Sequence, residues 1–215
     1  MKKYYKLTTQ DCKTRVGCYN ETQWKLGRLV RAFGNSTELC TDGWIHCYTS
    51  PLIAIIRNPA DADIKNPRLW LFEPEFGTSI KEERLKVGVR AGKITKELPV
   101  PKITNIQKVA FSILCAKCVC KNEEWNIWAD RWLDNIDRSS CAAAADAVYA
   151  AAYAVADAAA YAAAADAANA AYAVADAATA AYTAAAAASA ATAAATADAI
   201  IVLDFDAIAK EAMKY

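Results

Sequence analysis

The chain predicts an α+β protein, with a small β-rich N-terminal head followed by an all-helical, alanine-rich C-terminal region. Two observations carry this expectation. All seven glycines and all six prolines lie before Lys102, so turn-rich chain ends there. After Cys141, 39 of the 58 residues up to Ala199 are alanine, the best intrinsic helix former because it loses no side-chain entropy. The division expected is a mixed head over 1–101, a helical connector over 102–140, and a long helix with a short tail over 141–215.

In the head, Lys3–Thr8 reads as an opening strand with Tyr4, Tyr5 and Leu7 available to a core. Gln23–Phe33 stays open between strand, loop and short helix. Asp42-Gly43 signals a turn into a strand over Trp44–Tyr48. Ser50-Pro51 supplies an N-cap and first helical residue, and Asn58-Pro59 is expected to stop that helix. Strands follow at Leu69–Glu73, Leu85–Arg90 and Gly92–Leu98, before Pro99-Val100-Pro101 makes a stiff exit.

The connector begins with Thr104–Lys121, amphipathic through Ile106, Val109, Ala110, Ile113, Leu114 and Cys118. A second helix, capped near Asn122, places Trp125, Trp128, Ala129, Trp132 and Ile136 on one face, and such a stripe is expected to be core. Ile200–Leu203 forms an apolar patch, and Asp204–Lys214 a final helical tail.

Within the alanine stretch the other residues recur at steps of mostly three or four, giving one stripe of Asp, Tyr and hydroxyls at roughly 3.6 residues per turn. A continuous helix of about 87 Å is favoured over a hairpin near Asp166–Asn169 or Ser189. Its alanine face buries little area on its own and implies a partner: a second helix, a second copy or another protein. The regular aspartates argue against a membrane span. Ice binding does not fit, because the threonines recur at thirteen residues, about 140° out of line on a helix. The stripe is the surface expected to bind, through Tyr153, Asp157, Tyr161, Tyr172 and Asp176, since tyrosine gives large contact area at low entropic cost.

Net charge is +1 overall, but residues 1–140 carry +7 and residues 141–215 carry −6. The two parts attract each other, or the basic head meets an acidic partner, and no motif signals nucleic acid. The opening MKKYYKLTTQD has no apolar run after its lysines, so no signal peptide is expected, and the eight cysteines then read as reduced thiols.

Gly43-Trp44-Ile45-His46-Cys47, followed by Pro51 and Ala54, resembles an uncharacterised family of bacteriophages and bacteria. Its members share a Gly-aromatic-x-His element, a later Leu-Trp-Leu-Phe-Glu-like strand, a Trp-containing helix and an alanine-rich tail. The resemblance implies a phage accessory protein in the cytoplasm of the infected cell and carries no catalytic assignment.

Trp44, His46 and Pro51 are the head motif. His46, the sole histidine, is expected to be structural, bonding the backbone. A catalytic role would pair it with Cys40, Cys47 or Asp42 and needs a third group to orient the ring. Cys115, Cys118 and Cys120 would need a fourth donor such as Cys141 or His46 to hold zinc, and they read instead as buried thiols. There is no phosphate-binding glycine loop and no HExxH, so no cofactor or metal is expected. The expected function is therefore non-enzymatic binding of a host or viral protein, for example inhibition of a defence factor. The alternatives are a self-assembling protein packed through alanine faces, and an ADP-ribosyltransferase-like or other nucleotide-binding enzyme using His46.

Overall fold

The computed structural model describes residues 2–82, 85–118, 123–136 and 203–215. The chain forms two compact units, Met1–Lys102 and Ile103–Tyr215. Among the described residues no helix is long and apolar enough to cross a membrane.

The first unit holds β1 (Tyr4–Thr8), β2 (Lys13–Thr14), β3 (Thr22–Gln23), β4 (Val30–Arg31), β5 (Ile45–Cys47), α1 (Pro51–Asp61), β6 (Arg68–Pro74), β7 (Ile80–Glu82), β8 (Val87–Val89) and β9 (Ala91–Leu98). All pairings are antiparallel. One sheet runs β1-β6-β9-β4 and another β5-β8-β7, with β2-β3 as a separate ribbon. The larger sheets join where the backbones of Tyr5 and Tyr48 exchange two 2.9 Å hydrogen bonds. Between them lies a core built from Tyr4, Trp24, Ile45, Phe72, Val87 and Ile94, among others.

Helix α1 starts as its sequence suggests. Ser50 accepts from the Ile53 N–H, and Pro51 occupies the first turn, where its missing N–H costs nothing. It does not stop at Asn58-Pro59 but runs on to Asp61. The exit is closed by Asn58, whose side chain donates to the Ile64 carbonyl and accepts from its N–H while its own carbonyl takes the N–H groups of Ala62 and Asp63. These bonds satisfy the end of the helix beyond the proline.

The second unit contains α2 (Asn105–Lys117), α3 (Glu123–Leu133) and α4 (Phe205–Ala212). Thr104 and Gln107 form a reciprocal capping box on α2, which ends at Lys117 rather than Lys121. Phe111 of α2 packs against Phe205 of α4 at 6.5 Å between centroids, and the Gln107 amide donates to the Met213 carbonyl. Trp125 and Trp132 of α3 are buried.

The fold-class expectation is corrected here. The described residues form a curled antiparallel sheet with four short helices, and no all-helical, alanine-rich C-terminal region is among them. That expectation rested on intrinsic propensity, which is a weak prior and supplies no tertiary partner. The helices present in the second unit are amphipathic segments with large buried side chains. The stretch over 141–199 lies outside the described residues.

Gly92 marks the tightest point of the main sheet. A Cβ there would come within 2.3 Å of the Phe72 ring and 2.7 Å of the Glu73 carbonyl oxygen. Gly92→Ala is expected to destabilise the first unit by about 1–3 kcal/mol, measured as a lower urea midpoint with unchanged slope.

Candidate functional site: a cationic cleft around His46

Strand alternation sends Ile45 and Cys47 of β5 into the core and leaves His46 on the opposite face. His46 pairs with Gly88 of β8. A side chain at Gly88 would meet Leu39 Cδ1 at 2.2 Å and the Trp44 ring at 3.0 Å, so the glycine makes room for both beside the histidine. The Leu39 carbonyl is hydrogen-bonded to His46 Nε2. A carbonyl can only accept, so Nε2 carries the proton.

The loop bearing Leu39 and Trp44 is held largely by Arg90. Its guanidinium donates to the carbonyls of Gly34, Asn35, Ser36 and Gly43. Its centre lies 4.1 Å from the Trp44 ring centroid, a cation–π contact. Gly43 is required by this approach, because a Cβ would stand 2.5 Å from the Ser36 carbonyl oxygen and 2.8 Å from Arg90 Nη1.

These elements border a cleft of about 730 Å³ whose lining includes Lys6, Arg15, Trp24, Trp44, His46 and Lys86. Lys6, on β1, is only 7% exposed. Its ammonium donates to the His46 carbonyl at 2.8 Å and lies 5.1 Å from the Trp24 ring. Arg15 adopts a left-handed backbone (φ 56°) and donates to the carbonyls of Thr41 and Trp44 at 3.0 and 2.9 Å. Lys86 donates to Cys40 Sγ at 3.0 Å. Among the described residues none of these three cations has a carboxylate partner. Arg31 and Lys65, which also line the cleft, do: they pair with Glu75 and Asp63.

Burial holds the His46 pKa down at about 4, and the charges of Lys6, Arg15 and Lys86 add to the depression against the opposing pull of the Leu39 carbonyl. Burial likewise lowers the Lys6 pKa, with Arg15 acting in the same direction. The result is a neutral imidazole among three cations.

Of the residues singled out from sequence, Trp44 and His46 meet in this cleft, and Pro51 starts α1. Of the three partners a catalytic His46 would need, Cys47 and Asp42 are engaged elsewhere and Cys40 lines the same cleft. Cys47 is buried and its thiol is pushed up to about 12. Cys40 sits against Lys86, and Asp42 accepts from the Tyr19 hydroxyl at 2.6 Å. Cys115 is buried and its pKa raised by that burial. Cys118, expected on the same buried face, is exposed with its thiol toward the Leu114 carbonyl. Cys120, Cys141, Tyr153, Asp157, Tyr161, Tyr172 and Asp176 lie outside the described residues. Among the described residues no three His, Cys, Asp or Glu side chains gather to hold a metal ion. Lys6, Arg15 and Lys86 were not picked out from sequence, where the only signal was the net positive charge of residues 1–140.

Comparison with protein-family models, curated proteins and solved structures gives no match to this chain.

As the sole histidine, His46 gives a single imidazole resonance, which is expected to titrate near pH 4 rather than 6.5. Its depressed pKa adds stability that is full above about pH 6.5 and is lost as the pH falls toward 4. Urea midpoints at pH 7 and 4.5 should therefore differ less in His46→Gln than in the parent protein.

Proposed function

We propose that the first unit is a binding module for a small, multiply charged anion of the phosphate class. The observation that carries this is the convergence of Lys6, Arg15 and Lys86 around a neutral histidine, none of the three with a carboxylate partner among the described residues, while Asp61 and Asp63 of the cleft pair with Arg57 and Lys65. Like charges held together repel, and Lys6 also bears a desolvation cost. A bound anion relieves both, and charge-assisted hydrogen bonds to ammonium and guanidinium groups are the strong ones. The cleft volume suits a ligand of small-molecule size. Binding rather than turnover is favoured, because Cys47 is buried, Asp42 accepts from Tyr19, and Cys40 accepts from Lys86 rather than from His46.

Calorimetric titration with inorganic pyrophosphate at low salt tests this. Saturable binding that weakens with added salt is expected, with Lys86→Ala reducing affinity about tenfold. Heats no greater than those for chloride, in a folded sample, would sink the proposal.

A second proposal concerns protein partners. Val16, Tyr19, Leu26, Leu29 and Phe33 are all exposed within one short segment of the head, and exposed apolar side chains in number favour a contact surface. This supports the role of an accessory protein that binds a host or viral protein. Affinity capture from bacterial lysate with two variants of the full chain separates the surfaces. Loss of a stoichiometric partner in Leu26→Asp/Leu29→Asp/Phe33→Asp places the contact on the head. Loss only in Tyr153→Ala/Tyr161→Ala/Tyr172→Ala places it on the alanine-rich stretch.

A further inference from the structure

We infer that the Trp44–His46 wall of the cleft selects a hydroxyl-bearing phosphate ester, a sugar phosphate or nucleotide, over a phosphate ester without a hydroxyl. This rests on the phosphate-binding role proposed above and assigns the neutral half of the site. The imidazole donates through Nε2 to the Leu39 carbonyl. In the neutral ring Nδ1 is then a lone-pair acceptor, and no hydrogen bond to it occurs among the described residues. The indole of Trp44 is the complement. It is 6% exposed, and its buried Nε1–H has no acceptor.

Both groups are held by the fold. Trp44 immediately precedes β5 and stands two residues from His46, so strand alternation puts their side chains on one face. Arg90 stacks on the indole, and Gly88, opposite His46, leaves the space in which it sits. Trp44 and His46 thus line a cleft whose cations already suit a phosphate.

The acceptor decides the ligand class. A phosphomonoester dianion with no hydroxyl of its own, such as methyl phosphate, presents only acceptor oxygens, which repel the His46 lone pair. A hydroxyl group donates to Nδ1 and also accepts. A metal cation at Nδ1 is disfavoured by the charges of Lys6, Arg15 and Lys86 around the ring. The ligand that satisfies every group carries a phosphate for the cations and a hydroxyl for His46. Sites built around such hydrogen bonds discriminate strongly against analogues that lack them.

Titration of the intact protein with ribose 5-phosphate and, separately, with methyl phosphate, both as dianions, tests the inference. Ribose 5-phosphate is expected to bind about tenfold more tightly or better, and to shift the His46 ring resonance where methyl phosphate does not. His46→Phe is expected to erode the preference while methyl phosphate affinity stays within about twofold. Tighter binding of adenosine monophosphate than of ribose 5-phosphate assigns a nucleotide, and equal binding assigns a sugar phosphate. Equal affinity for ribose 5-phosphate and methyl phosphate in the parent protein overturns this inference and leaves the anion site standing. Binding of neither removes both. The parent-protein comparison needs no variant to fold.

Discussion

One guanidinium organises the functional half of the first unit. The loop from Gly34 to Trp44 contains no strand or helix, so its carbonyls have no ladder to join. Arg90 takes four of them at once and stacks on the tryptophan that closes the loop. A lysine could not do the same, because its ammonium has three donors and no plane to stack. Everything around His46 follows from that anchor. The loop fixes the Leu39 carbonyl, the carbonyl fixes the imidazole tautomer, and the same loop presents Cys40 to Lys86 and two carbonyls to Arg15.

The site is an electrostatic compromise. Lys6 is buried among aromatic rings with a carbonyl as its polar partner, an arrangement that costs stability unless something else benefits. The Trp24 face and the His46 carbonyl offset part of that cost. A cationic group retained under such conditions, with two further cations nearby and a histidine kept neutral, has the character of a functional site more than of a core built for stability.

The local chemistry of the head was legible in the sequence. Ser50-Pro51 opened a helix, Asp42-Gly43 led into β5, and Leu69–Glu73 became the centre of β6. These features depend on neighbours one to four residues away. Three kinds of feature were not legible. Two-residue strands such as β2, β3 and β4 have too few side chains for any periodicity. The continuation of α1 through Pro59 depends on Asn58 reaching Ile64. The cations of the cleft stand at positions 6, 15 and 86 and meet only because antiparallel pairing brings together β1, the turn after β2 and the residue before β8. For the same reason the sequence could show that Gly43 marks a turn, but not that Arg90 and Ser36 occupy the space it leaves. The alanine-rich stretch gave the opposite lesson, since strong propensity there foretold a fold class that the described residues do not have.

The pairing of β1 with β6 also shapes how the first unit assembles. Tyr4 lies opposite Phe72 and Thr8 opposite Arg68, so the partner of β1 lies some sixty residues further along the chain. Closing a loop of that size must precede the contacts that reward it, and topologies rich in such contacts fold slowly. On a ribosome β1 emerges well before β6 and waits with its backbone groups unpaired. Its sequence suits that interval, since Lys2 and Lys3 precede the strand and Lys6 lies within it, and charge on an exposed strand discourages pairing with other chains. The lysine later buried beneath His46 can thus protect the nascent strand before it ever meets a ligand.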